Sequence, residues 1–278
     1  MAERIAVSSW SLCKHLGPLH GTTLNERGEH VFETAHSFPE DLQMLAYPAM
    51  VRERYGVRLV ELCQTHFADS TRQYLDEVRG RLAEAGVSVV NVPIDVGNIS
   101  DRDETARRHD IENIRKWMDV AAYVGSPCVR VNSGRLPEGD TDLGITIESY
   151  KELAAHATSL GTTLLIENHG GASADPQNIL RLLNGVGSPR FRVCLDTGNF
   201  SPEVRFQAIE ILFPYAAVAH IKTYGLDAQG NEAAYSVEKA LAIGEKAGYA
   251  GPYSIEFEGE GDQFDGVAKS VTLLRRLL

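Results

Sequence analysis

Short runs of β-branched and other apolar residues alternate along this chain with longer stretches of helical period. The strand-like runs are RIAVSSW from Arg4, RLVELC from Arg58, VSVVNVPI from Val87, CVRVNS from Cys128, TTLLIEN from Thr162, FRVCLD from Phe191, AVAHIKTY from Ala217 and YSIEFE from Tyr253. Each is almost continuously apolar, the pattern of a parallel strand buried on both faces. Between them lie amphipathic segments such as STRQYLDEVRGRLAEAG, DETARRHDIENIRKWMDVAAYVG and TIESYKELAAHATSLG. Ser70, Ser236 and Ser201 with Pro202 read as helix starts, and Gly86, Gly125, Gly161 and Gly248 as helix stops. Eight such pairs with no change of composition between the halves predict a closed (β/α)8 barrel over residues 1–278, a single domain. The alternative, an open doubly wound sheet, would have fewer strands and often a Gly-rich phosphate turn after the first strand, which is missing here. The irregular stretch is Lys14 to Pro39, carrying His15, His20, His30 and His36. A connection of that length is expected to be a lid over the top face.

Composition narrows the function. Of 278 residues 43% are apolar, too many for a disordered chain, yet no unbroken span is long enough to cross a bilayer. The net charge of −11 opposes a phosphate backbone, so a small organic substrate is expected rather than nucleic acid or a membrane. Cys13, Cys63, Cys128 and Cys194 lack the C-x-x-C spacing of a zinc or redox site, and three fall in strand runs as small buried hydrophobes. The first residues enter an apolar strand without a basic leader, which predicts a cytoplasmic protein and makes the glycosylation-like patterns at Asn98 and Asn199 chance matches.

Barrel active sites are built at the C-terminal ends of the strands. Those ends carry Glu61 and His66, Asn91 and Asp95, Asn132, then Glu167, Asn168 and His169, Asp196 and Asn199, His220 and Lys222, and finally Glu256, Glu258 and Glu260. With Lys222 as the one obvious cation, so many acids around one mouth predict a bound divalent metal, since unpaired buried charge costs several kcal/mol. The alternative is a polar mouth with no metal. Carboxylates with one imidazole suit Mn²⁺ or Mg²⁺ and admit Co²⁺ or Zn²⁺.

The motifs IENHGG, LDTGN, AHIK and SIEFEGEGD, in that order on strands five to eight of the barrel, resemble the xylose-isomerase-like sugar isomerase/epimerase superfamily. That group includes ketose 3-epimerases, inosose isomerases and dehydratases and, more distantly, an endonuclease type. The resemblance implies one divalent metal, Mn²⁺ first, held by Glu167, Asp196, His220 and Glu256. It also implies that Glu167 and Glu256 serve as acid and base on opposite faces of a carbon beside a carbonyl. Asn199 stands where ketohexose epimerases have histidine, and KTYGLDAQG after the seventh strand lacks their sugar-anchoring arginine. Both departures argue against a free ketohexose, and the missing strand-six histidine argues against the endonuclease.

His169 and Lys222 are further catalytic candidates: each lies two residues beyond a metal-ligand candidate, on the same strand face. His66, Asn132 and Asn199 are donors suited to sugar hydroxyls, and Trp10 can stack on a sugar ring. The expected activity is isomerisation or epimerisation of a sugar or cyclitol through a metal-bound enediolate, with a homo-oligomer as the one expected macromolecular assembly. The alternative is a dehydratase or lyase that expels a β-leaving group from a keto-sugar, inosose or keto-glycoside. A third reading is a silent barrel that only binds ligand.

Overall fold

A computed structural model describes residues 3–278. In chain order, β1 (Ile5–Ser8) leads to a hairpin of β2 (Leu19–Leu24) and β3 (His30–His36), then α1 (Tyr47–Tyr55), β4 (Leu59–Glu61), α2 (Arg72–Ala85) and β5 (Ser88–Ile94). There follow α3 (Glu104–Tyr123), β6 (Cys128–Val131), α4 (Gly144–Leu160), β7 (Thr163–Glu167), α5 (Pro176–Val186) and β8 (Phe191–Asp196). The chain closes with α6 (Arg205–Leu212), β9 (Ala216–Thr223), α7 (Val237–Lys246), β10 (Tyr253–Phe257) and α8 (Gln263–Leu277). Strands β1 and β4 to β10 form a closed parallel barrel, β4 pairing back onto β1. All eight predicted strand runs are therefore barrel strands.

Alternation along the strands sorts side chains into two layers. Outward residues such as Val7, Val92, Ile166, Ile221 and Ile255 pack with Leu82, Trp117, Leu153 and Leu274 of the helices in the main core. Inward, Cys128, Leu165, Cys194 and Val218 form a small apolar floor. Two residues further along the same strands stand Arg130, Glu167, Asp196 and His220, so a charged layer lies directly above the floor. Register joins its members: Asp196 is level with His220, and Glu256 with Lys222. Cys63, Cys128 and Cys194 are buried free thiols, while Cys13 is half-buried.

Several local expectations change. The stretch after β1 is not an irregular loop but an antiparallel hairpin, pinned to α3 by bonds from Trp117 Nε1 to Thr22 Oγ1 (2.7 Å) and from Asn113 Nδ2 to the Thr22 carbonyl (2.7 Å). His30 stacks on Trp117 with ring centroids 4.6 Å apart. Thr71 rather than Ser70 stands at the N-cap position of α2, its hydroxyl donating to Asp69 Oδ2 at 2.8 Å, while the Ser70 hydroxyl bonds His30. Ser201 and Pro202 lie in a turn before α6, which begins at Arg205. Ser236 caps α7 as expected, accepting from the Lys239 amide. The four glycine stops all adopt positive φ, where a side chain would be strained.

Candidate metal centre and cavity

Strands β7 to β10 each deliver one side chain to a common point. Glu167, Asp196, His220 and Glu256 each offer a ligand atom, and these atoms lie within 4.8 Å of one another in a buried setting. The imidazole is oriented from both sides. Its Nδ1 faces Glu167 Oε1 at 3.1 Å, Glu256 Oε1 at 3.4 Å and Asp196 Oδ2 at 4.0 Å. Its Nε2 lies 2.9 and 3.1 Å from the two oxygens of Glu61, whose Oε1 also accepts from Asn91 Nδ2 at 2.8 Å. Glu61 thus sits behind the ring and favours a proton on Nε2, leaving Nδ1 free to face the acids.

The donor set fits a hard divalent cation. Asp196 Oδ1 accepts from the Gly198 and Asn199 amides at 2.6 and 2.9 Å, whereas its Oδ2 has no hydrogen bond. Glu167 Oε2 also lacks one: Arg130 Nε is 2.9 Å away, a charge contact without hydrogen-bond alignment. Two buried carboxylate oxygens with open lone pairs beside an imidazole nitrogen are what an oxygen-seeking ion would complete. Asn168 braces the strand ends, its amide bonding the Asp196 carbonyl and amide nitrogen at 2.9 and 2.8 Å.

Lys222 is not the sole cation of this layer. Arg130, overlooked among the strand ends because it lies inside the CVRVNS run, is buried and pairs with Asp95 as well as Glu167. A charge inside a doubly buried strand, two residues beyond an inward cysteine, was the available signal. Lys222 Nζ is 3.2 Å from Asp196 Oδ2, 3.5 Å from Glu256 Oε2, 3.2 Å from Glu258 Oε1 and 2.9 Å from Asn199 Oδ1. Gly198 makes room for it, since a Cβ there would lie 2.8 Å from the Lys222 Cβ.

These charges push the two glutamates apart. Burial opposes ionisation of Glu167, but Arg130 and then His220 outweigh it and hold the carboxyl well below its usual range. Burial dominates at Glu256 and pushes it up to about 8 despite His220 and Lys222. Burial also opposes the protonated His220 ring, yet Cys194, Glu256, Glu61 and Glu167 together raise it well above the ordinary histidine value. The Cys194 thiol, 3.2 Å from Nε2, is itself pushed far up by burial and stays neutral, so the carboxylates carry that effect.

Above the cluster opens a cavity of about 510 Å³. Trp10, Asn132, Glu167, His169 and Glu256 are on its wall, with Leu19 and Ala35 of the hairpin. Trp10 Nε1 donates to Glu258 Oε1 at 2.9 Å, and the exposed His169 ring makes no hydrogen bond or ion pair among the described residues. Asn132 Nδ2 donates to Asp95 Oδ1 at 2.9 Å. Three candidates lie behind the wall. Lys222 and Asn199 bond one another, and the buried His66 bonds Ser9 Oγ at 2.9 Å, its pKa lowered to about 3 by burial. Among the described residues no helix is long and apolar enough to cross a membrane.

Comparison with solved structures finds the same architecture at low identity. The 3-keto-D-glucoside 4-epimerase of E. coli superposes with a TM-score of 0.68 at 16% identity, over 85% of this chain and 95% of that one. An L-ribulose 3-epimerase gives 0.74 at 17% identity over 99% and 94%. A xylose isomerase-like barrel protein from Mycobacterium smegmatis, in complex with magnesium, gives 0.70 at 16% over 100% and 98%. No curated protein matches the sequence. The family model for xylose isomerase-like TIM barrels matches residues 51–277, and the chain belongs to that family.

Proposed function

We propose that this protein is a divalent-metal-dependent isomerase or epimerase of a sugar or cyclitol, moving a proton on a carbon next to a carbonyl. The observation that carries this reading is the convergence of Glu167, Asp196, His220 and Glu256 within 4.8 Å at the base of a sugar-sized cavity. Structural neighbours that are sugar epimerases, and one that holds magnesium, support it. A divalent ion, Mn²⁺ in first place, would supply Lewis acidity that polarises the carbonyl and its neighbouring hydroxyl.

The chain's own groups do the rest. Arg130 keeps Glu167 ionised, with Oε2 as the oxygen left without a hydrogen bond. Glu256, with its carboxyl near the neutral range, can both accept a proton and return it. Proton removal by one glutamate and return by the other on the opposite face inverts the carbon. Return to the neighbouring carbon isomerises. Trp10 offers a ring face and Asn132 an amide for hydroxyls.

Lys222 serves here as a clamp on Asp196, Glu256 and Glu258, and its ammonium is raised because these acids outweigh its burial. The partnerless ring of His169 on the cavity wall favours one second reading: protonation of a β-leaving group, making the enzyme a dehydratase or lyase. The test is turnover of keto-sugars, inososes and 3-keto-glycosides in D₂O by the manganese-loaded protein. Deuterium beside the carbonyl in a product of unchanged composition supports the isomerase, and loss of water or an aglycone supports the lyase. Isomerised product without solvent deuterium would overturn the proton-transfer chemistry altogether.

A further inference from the structure

Arg135 stands on the cavity wall with its guanidinium unused. It makes no hydrogen bond, ion pair or ring contact among the described residues, although the chain has 38 acidic side chains to 27 basic ones. Asp95 is paired with Arg130, and Asp140 and Asp142 with Arg102. The backbone beneath Arg135, by contrast, is held tightly. Asn98 Oδ1 accepts from the Arg135 amide at 2.8 Å and from the Ser100 amide at 3.2 Å, and Asn98 Nδ2 donates to the Arg135 carbonyl at 3.3 Å. The preceding Gly134 has a φ of +76°, and a Cβ on it would collide with Asn98 Oδ1 and lie 3.0 Å from the Ser100 nitrogen. Only glycine permits that clasp. A loop fixed at its backbone thus presents a free, planar cation to the same cavity that the glutamates floor.

We propose that Arg135 is the anion-recognising end of this cavity, and that the substrate is an acidic sugar or cyclitol derivative carrying a carboxylate or phosphate remote from its reacting carbon. The inference deepens the proposed function and rests on it for the sugar part alone. Glu167, Glu256 and Glu258 line the same cavity and already hold Arg130 and Lys222, so the guanidinium of Arg135 is the lining cation left for an anion. Ser133 is also on the cavity wall. A guanidinium pairs both carboxylates and phosphates through two parallel N–H bonds, which is why the two acids share one site.

The test compares D-fructose, D-fructuronate and D-fructose 6-phosphate by calorimetry on the manganese-loaded protein, for the native chain, Arg135→Gln and Arg135→Glu. An acidic form is expected to bind about tenfold or more tightly than the neutral sugar, with uronate against phosphate telling which acid is preferred. Arg135→Gln should erase that preference and leave the neutral sugar unchanged, and Arg135→Glu should reverse it. Equal affinity for acidic and neutral sugars, or a preference that survives in Arg135→Gln, overturns the proposal. Inorganic phosphate, titrated into the same three proteins, separates the two readings. Arg135-dependent phosphate binding with no sugar binding keeps the anion site and removes the sugar reading. No Arg135-dependent binding of any of these probes removes the site.

Discussion

Binding of a divalent ion to the metal-free protein is expected to release about two protons. The buried layer holds four carboxylates, Glu61, Glu167, Asp196 and Glu256, against the permanent cations Arg130 and Lys222. That leaves a deficit of two positive charges, even before Asp95 and Glu258 draw on the same cations at the rim. Protons make up the deficit when no ion is present: one on His220, raised by its acidic neighbours, and one on Glu256, pushed up to about 8. Because these groups interact closely, the two protons belong to the cluster rather than to single residues. An ion that takes ligand atoms from both residues must displace both protons. Affinity should then rise by up to about a hundredfold per pH unit between roughly pH 6 and 7.5, and less steeply above about pH 8, where Glu256 ionises unaided and the His220 proton alone remains to be displaced. Calorimetric titration of Mn²⁺ in buffers of different ionisation enthalpy counts the protons directly. A flat affinity over this range, with less than about half a proton released, would refute the charge argument.

Other outcomes follow from the same geometry. Glu61→Gln should weaken Mn²⁺ binding by about ten- to a hundredfold without touching the cavity, because a neutral acceptor makes the ring a poorer ligand; unchanged affinity by titration would remove Glu61 from that role. Glu167→Gln and Glu256→Gln should each lower turnover by about two to four orders of magnitude in a steady-state assay, as loss of a general acid/base does. Arg130→Met should destabilise the metal-free protein by about 3–5 kcal/mol in denaturant unfolding, since Glu167 is left buried and uncompensated, and saturating Mn²⁺ should recover part of the loss. Thr22→Val leaves the buried Trp117 Nε1–H without an acceptor, at a cost of about 1–3 kcal/mol, and should speed hydrogen exchange in the hairpin while barrel amides stay protected.

The barrel was legible because its strands are buried on both faces, so each appears as an unbroken apolar run that no helix period disturbs. The ligand candidates were legible for the complementary reason: Glu167, Asp196, His220 and Glu256 are ionisable residues ending such runs, where burial without a purpose would be expensive. The hairpin was not. HVFETAH is exposed on most of its positions, so its alternation carries little hydrophobic signal, and what fixes it is Trp117, far along the chain on α3. Pattern reading records how a segment divides between core and solvent, and a segment anchored by one distant side chain divides weakly.

Arg130 and Glu61 mark a subtler boundary. Both stand on inward positions among the acids, and residue type alone does not separate a carboxylate that faces an ion from one that stands behind its ligand. The separation lies in which nitrogen of His220 each acid meets: Glu167 and Glu256 at Nδ1, Glu61 at Nε2. Parity along the strand would have placed Arg130 in the charged layer, two residues above Cys128 on the apolar floor, and so corrected the view of Lys222 as the lone cation. It could not have shown that Arg130 meets Glu167 rather than Glu256. That choice is what divides the two glutamates into one held ionised and one near neutrality, and it arises from barrel register: Arg130 is level with Leu165, one inward step below Glu167 on the adjoining strand.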